Sequence, residues 1–423
     1  LLDTAENDTQ FSHSWSNCSP PLSALANQYG WATPEDGINP ELWLDLALDL
    51  FIEGDFQTRW DVAKLLPRFG TKAIAPLIVI LEHEDTDWEL LWFTVRTLGE
   101  FDHPVVVQVL ISLLKTAEGE LSAVAAEALA NLGNQAIAPL TELLSMEQFR
   151  LLAVRSLSRI RHSQTIAPLL SITNDAQPEI RAAAIEALSS FHDSRVFPVL
   201  VNALQDPAAA VRREAVIAVG LRANLQAEID LVNLLIPHLA DLNLQVCQQA
   251  AIALGRLSNP AAAQALADVL HSPHTPSALQ IEIVRSLSWG MTATVLKKIQ
   301  SILPCVSAEV YREMIAALGK VEDPALKPQA AEILITLLDS ESSPQSPGKQ
   351  AIALSLGHLG EIKALDPLIR LLSESDPGVQ LHAIAALKQL APDAAHEQLK
   401  MMAKDTNLPE ALQGGVANAL REW

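Results

Sequence analysis

Trp88-Glu-Leu-Leu-Trp92-Phe-Thr-Val-Arg96-Thr-Leu98-Gly-Glu-Phe101 carries an apolar spacing that recurs down most of the chain. Read as one helix, it sets a landmark at Leu98. Leu66, Leu129, Leu157, Leu188, Val219, Leu254, Leu287, Leu318, Leu356 and Leu387 fall on the same register position of other segments. Most intervals come to about thirty-one residues, within the roughly 20–50 residue periods of stacked repeat architectures. The length of 423 residues would suit two or three separate domains, but a fixed period predicts one continuous superhelix instead.

Composition agrees with helices. Hydrophobic residues make up 49% of the chain and aromatics only 4%, so a core must be built from Leu, Ala, Ile and Val. Such residues suit closely stacked helices better than a β-sandwich. The expected fold is all-α, an α-solenoid of about eleven two-helix units plus caps. The segment Ile180-Arg-Ala-Ala-Ala-Ile-Glu-Ala-Leu-Ser-Ser-Phe191 shows the inner helix of a unit. Ile180, Ala184, Ala187, Leu188 and Phe191 share a stripe at helical spacing, with Arg181 and Glu186 off it. A second helix follows, often with an early proline, as at Pro76, Pro139, Pro168, Pro198 and Pro367. Proline is tolerated in a first turn because the amides there lack an intrahelical acceptor.

The ends and interruptions follow from the same pattern. Residues 1–38 are polar and acidic, without a sustained period, and read as a loosely ordered arm. Residues 39–56 hold Leu42, Leu44, Leu46, Leu48 and Leu50 and read as an N-terminal capping helix, since the first unit of a stack needs its outer face covered. Units then fill residues 57–423, and the Ser, Pro and Gly of 339–348 predict an exposed loop. The unit around Val219-Gly220-Leu221-Arg222 is longer and lacks the usual turn.

The net charge of −21 sits poorly with phosphate backbones or anionic lipid, which are bound by clustered Lys and Arg. No nucleic-acid partner and no membrane insertion are expected. The apolar stretch Val105–Leu114 is too short to span a bilayer. Cys18, Cys247 and Cys305 are widely separated and odd in number, which fits a reducing compartment, and no secretory signal is visible; a cytoplasmic location is expected. His271-Ser-Pro-His274 reads as a turn rather than a metal pair, and Cys247 as a packed residue rather than a reactive thiol. No Ser-His-Asp arrangement, glycine-rich phosphate loop or resident cofactor is indicated.

Asp175 lies six residues before Arg181, and Asp206 six before Arg212, so a ladder of charge-assisted hydrogen bonds can run along the stack. At Cys247 and Gln280 the ladder arginine is missing. This pattern, with Ile180-Arg181 and Val211-Arg212 opening their helices, resembles the HEAT-repeat family over about residues 57–423, and most of all its phycobilisome-lyase-type subclass. The resemblance implies either a scaffold or adaptor, or a lyase that attaches bilins to phycobiliproteins.

Inner helices of such stacks line a concave face, so equivalent positions form columns. One column contains Trp60, Trp92, Ala123, Leu151, Ala182, Arg213, Gln248, Ile281, Arg312, Gln350 and Leu381; a second, one turn on, contains Lys64, Arg96, Glu127, Arg155, Glu186 and Arg285. Trp and Arg are the residues most enriched at binding hot spots. Trp60, Trp92, Arg96, Arg155, Arg213 and Asp61 are therefore the candidate partner-binding residues. The alternative is that Trp60, Trp88 and Trp92 pack with Trp43 under the capping helix. The expected partner is another protein. The resemblance would make it a phycobiliprotein or a photosynthetic-complex subunit, with Trp60, Trp92, Arg96, Arg155 and Asp61 cradling an open-chain tetrapyrrole if a bilin is bound.

Overall fold

The computed structural model describes residues 40–117, 119–339, 346–405 and 407–423. The expected arm, residues 1–38, lies outside them. Among the described residues the regular structure is entirely helical, and the fold is an α-solenoid. Two compact units divide the chain at Val199 and Leu200.

The first unit opens with α1 (Pro40–Glu53). Inner helices α2 (Phe56–Leu65), α4 (Trp88–Leu98), α6 (Glu120–Asn131), α8 (Arg150–Arg159) and α10 (Pro178–Leu188) alternate with outer helices α3 (Ile74–Glu82), α5 (Pro104–Thr116), α7 (Asn134–Leu143) and α9 (Ile166–Ser171). Helix α11 (Val196–Ala203) spans the division. In the second unit the inner helices are α12 (Ala209–Gly220), α14 (Leu244–Arg256), α16 (Ser277–Leu287), α18 (Ala308–Gly319), α20 (Ser346–Leu359) and α22 (Pro377–Leu390). Between them run α13 (Leu231–Leu235), α15 (Pro260–His271), α17 (Ala293–Ile302), α19 (Lys327–Asp339) and α21 (Leu365–Arg370), and α23 (Pro392–Met402) and α24 (Glu410–Glu422) close the chain. Within each unit, successive inner helices pack on one another.

The landmark column explains why the stack holds. All eleven residues, from Leu66 to Leu387, are 1% exposed or less. Each removes nearly a whole aliphatic side chain from water, about 1.5–3 kcal/mol of transfer free energy apiece. Where the residue after the landmark is glycine, as at Gly99, Gly220, Gly255, Gly319 and Gly357, it sits against the next inner helix. A Cβ built on Gly220 would lie 2.5 Å from the Ala253 Cβ, and one on Gly255 2.7 Å from the Ser286 Cβ, so the helices approach to a distance that only glycine permits. Four residues after the landmark, the turn to the outer helix takes a positive φ at Gly70, Gly133 and Gly360, and at Ser258, the one non-glycine residue with positive φ among the described residues.

Local capping sets the helix starts. Asp55 accepts from the Thr58 amide at 2.9 Å and Asp87 from the Leu90 amide at 2.9 Å, which satisfies first-turn donors of α2 and α4. Helix α1, on the segment expected to cap the stack over 39–56, ends at Glu53, because Gly54 and Asp55 turn the chain and Phe56 already belongs to α2. Of the expected loop 339–348, residues 340–345 lie outside the described residues. Asp339 closes α19, and residues 346–348 form the first turn of α20, where Pro347 costs no hydrogen bond. Pro139 departs from the expected first-turn position: it lies inside α7, which starts earlier, at Asn134, after the Gly133 turn. In the long unit, a 3₁₀ turn at Ala223–Leu225 and the Asp230 cap of α13 take up the extra residues after Arg222.

The ladder exists, with a different wiring. Arg181 Nη1 donates to the backbone carbonyl of Asp175 at 2.7 Å, while the Asp175 carboxylate accepts from Arg150 of the preceding repeat at 3.0 Å and from the Gln177 amide at 2.8 Å. In the second unit, Arg212 reaches the Asp206 carbonyl at 2.8 Å and grips the Asp241 carboxylate with two bonds, 2.7 and 2.8 Å. Arg212 thus joins its own turn through a carbonyl and the next turn through a carboxylate, as Arg150 does with the Leu144 carbonyl and Asp175. At Cys247 the thiol donates to the Asp241 carbonyl at 3.1 Å, so the carbonyl half of the rung persists where the arginine is absent. Burial pushes the Cys247 thiol above its ordinary pKa, as suits a packed residue. Farther on, Gln380 donates to the Glu374 carbonyl at 2.8 Å and Lys349 to the Glu374 carboxylate at 2.7 Å, which divides the same two bonds between two side chains.

Candidate functional site

Helices α2 and α4 each place an aromatic residue at the first register position, a tryptophan four residues on, and a cation four residues after that: Phe56, Trp60, Lys64 and Trp88, Trp92, Arg96. Residues four apart stand one above the other on a helix face, so each triad forms a strip. The Phe56 and Trp60 rings stack at 6.2 Å with 20° between their planes. Lys64 Nζ lies 4.8 Å from the centre of the Trp60 ring, and the Arg96 guanidinium 4.8 Å from that of Trp92. At such distances a cation is attracted to the ring quadrupole, and the ring shields its stem from water.

Beneath both strips lies Phe93, which is fully buried. Its ring meets Trp92 edge to face at 5.0 Å, Phe56 at 5.3 Å, Trp60 at 6.4 Å and Phe51 of α1 at 6.4 Å. Phe93 and Phe51 are therefore the core of this corner, and Trp43 is buried with them. Trp60 and Trp92 are half-buried, while Phe56 is 53% and Trp88 46% exposed. Core packing of α1 accounts for Trp43 and not for Trp88. An apolar surface of this kind, broad and rimmed by charge, is the usual form of a contact site.

The polar rim is organised by Arg59, which is buried below the strips. It binds the Asp87 carboxylate through both terminal nitrogens at 3.0 and 2.9 Å, Glu89 at 3.0 Å and the Ile52 carbonyl at 2.9 Å. Hydrogen bonding to Arg59 holds the Asp87 carboxyl below its ordinary pKa. On the opposite edge, Arg96 pairs with Glu127 of α6 at 3.5 Å. Asp61 accepts from the Gln57 side chain at 3.1 Å beside the first strip.

Of the residues picked out by register, Trp60 and Trp92 come together around Phe93, and Arg96 lies over the Trp92 ring. Arg155 is exposed on α8, two repeats beyond α4. Arg213 lies in the second unit, where it binds Glu214 at 2.6 Å and Gln245 at 3.4 Å. Phe56 and Glu127 add to the site; for Phe56 the signal was the repetition of the aromatic, tryptophan, cation triad at an interval of thirty-two residues. Among the described residues no group of three or more His, Cys, Asp and Glu could hold a metal ion, and no helix is long and apolar enough to cross a membrane.

The profile of HEAT repeats matches residues 44–130, 74–151, 137–220, 197–288 and 332–421. No curated protein is similar enough in sequence to count as a relative. Solved structures that share the fold include yeast importin-beta (Kap95p), at 12% identity and a TM-score of 0.57 over 90% of this chain and 61% of that one. A Kap95:Nup1 complex aligns at 12% identity and 0.59, over 90% and 61%. Importin beta crystallised in ammonium sulfate aligns at 12% and 0.53, over 89% and 60%. The chain spans about three-fifths of the length of these structures.

Proposed function

From the premise that this chain belongs to the HEAT-repeat family, we propose that it is a non-catalytic scaffold or assembly factor that holds a partner protein on the inner-helix face of its first repeats. The paired strips on α2 and α4 carry this reading. Four aromatic rings and two cations on adjacent helices offer the large, rigid contact area and directional charge from which hot spots are built. Arg96 and Lys64 act there as local anchors for carboxylates, because the field of a chain with net charge −21 is screened beyond about 8 Å at physiological salt. The fold suits the role: a solenoid neighbour is known in complex with a second protein, Nup1.

Affinity capture from an extract of the source cells, with wild type and the Trp88→Ala, Trp92→Ala and Arg96→Ala variants in parallel, tests the reading. A partner retained by wild type and lost by Trp88→Ala and Arg96→Ala at unchanged melting temperature supports it; equal retention by all four overturns it. The same strips support a second reading, a bilin lyase or bilin-protein chaperone acting on a phycobiliprotein. Rings against an open-chain tetrapyrrole, cations on its propionates and an acid such as Asp61 would suffice for binding. A shift of bilin absorbance on mixing, absent in Trp92→Ala, is its test.

A further inference from the structure

Resting on that scaffold reading, we propose that the partner docks through a short extended segment of apolar and acidic residues, and that Glu127 occupies, in the free chain, the place of that segment's carboxylate. The size of the surface sets the length. A strip of nine residues, from position 56 to 64, rises about 12 Å, and two packed helices present a width of roughly 20 Å. An extended chain advances about 3.3 Å per residue, so about six or seven residues run diagonally across both strips, from the ring end of one to the cation end of the other. The aromatic surface ends there, because the same register positions in α6 are Gly119, which caps that helix, and Ala123.

Charge sets the chemistry. The strips run from exposed Phe56 and Trp88 at one end to Lys64 and Arg96 at the other. A segment with apolar side chains over the rings and a carboxylate at the far end meets both. A basic segment would face two cations at close range, and a neutral polar one would leave the rings wet. In the third repeat the cation's register position is held by Glu127, whose carboxylate lies 3.5 Å from Arg96. It therefore supplies from within the chain the anion that the site is built to take. A docking segment must displace it, so Glu127 lowers affinity and keeps Arg96 laid along Trp92 until an acid arrives.

The test uses the full chain and synthetic hexapeptides containing leucine and glutamate, with leucine–lysine and serine–glutamate counterparts, read by tryptophan fluorescence and calorimetry. Binding is expected for the leucine–glutamate set alone. Trp88→Ala should weaken it at least fivefold and Arg96→Gln at least tenfold, and Glu127→Gln should tighten it about two- to fivefold. Weaker binding in Glu127→Gln at unchanged melting temperature would make Glu127 a support for Arg96 and overturn the stand-in role, with the scaffold reading intact. Equal binding of either counterpart set, or no binding by any peptide of the leucine–glutamate set, overturns the segment class, while capture of the protein partner reports separately on the scaffold. Self-association abolished by Trp88→Ala in sedimentation would make a second copy the occupant and overturn the proposal.

Discussion

The inner helices of the two units obey one register at the landmark and diverge beside it. In the first unit the column six residues before the landmark opens with Trp60 and Trp92; in the second it reads Arg213, Gln248, Ile281, Arg312, Gln350 and Leu381. The landmark itself is Leu or Val throughout and is buried in both units. Packing of helix on helix fixes one column, because every repeat must bury the same volume. The column at the edge of that contact is left free, and only the first unit fills it with rings. On the proposed reading, stability and recognition are written in adjacent columns of the same helices, and substitutions can separate them.

The largest expected effect is on the buried side of this division. Phe93→Ala in the first unit and Leu254→Ala in the second should each cost about 3–5 and 2–5 kcal/mol respectively, while Arg312→Ala, in the free column, should stay within about 0.5 kcal/mol. Urea denaturation followed by hydrogen exchange localised to α4 and α14 would check this. A cost for Arg312→Ala equal to that of Leu254→Ala would break the distinction between the columns. One step smaller is Gly255→Ala, whose Cβ would meet the Ser286 Cβ at 2.7 Å and its carbonyl oxygen at 2.8 Å. Overpacking there should cost about 1–3 kcal/mol, where an exposed helical Gly→Ala change would stabilise.

The second unit also carries a pH dependence that rests on a buried histidine. His238 is 5% exposed, its Nε2 has no hydrogen-bond partner among the described residues, and burial lowers its pKa from 6.5, with Arg212 reinforcing and Asp241 opposing the shift. A base with a folded pKa below its unfolded one stabilises the fold above about pH 6.5, and that stability is lost as pH falls from there through the folded value. Asp241, held low by Arg212, acts in a separate window, below its ordinary 3.8. Denaturation at pH 7.5 and 5.0 should show a loss, smaller than that from Gly255→Ala, that His238→Leu abolishes. Smaller again is Ser258→Gly. A positive φ of 47° strains serine where Gly70, Gly133 and Gly360 sit at the same register, so the change should stabilise by about 0.5 kcal/mol in thermal unfolding, after the entropy of the added glycine is set against the relieved strain.

The repeats and their core were legible because burial repeats with the period: a Leu every thirty-one residues or so needs no knowledge of its neighbours. The ladder was legible as a set of residue types and misread in its wiring. Spacing pairs Asp175 with Arg181, yet the Asp175 carboxylate belongs to Arg150, one repeat earlier, since the side chain also caps Gln177 and only its carbonyl faces Arg181. At the site, Trp60 and Trp92 followed from register, but whether they are core or surface depends on Phe51 and Phe93, which approach from different helices. Contacts between repeats are long-range facts that a one-dimensional period does not contain. Pro139 shows the limit locally: Gly133 released the helix early, and the proline was carried into its interior.

The smallest effect on stability should come from Trp88→Ala, and it bears most on function. Trp88 opens α4 and is 46% exposed, and Asp87 caps the helix through its own side chain, independently of the ring. Removing the indole therefore opens no enclosed cavity and unsatisfies no buried group, and the cost should stay within about 0.5 kcal/mol. Trp92→Ala is the contrast. Its ring is half-buried against Phe93 at 5.0 Å and carries Arg96, so about 1–3 kcal/mol should be lost with it. Partner affinity should nonetheless fall in both variants by a similar amount, about 1–3 kcal/mol, because both rings belong to one contact surface. Melting temperature and partner affinity measured on the two variants separate the columns: a Trp88→Ala protein that melts like wild type and binds like wild type would place the partner elsewhere, whereas one that melts like wild type and fails to bind assigns the strip to recognition alone.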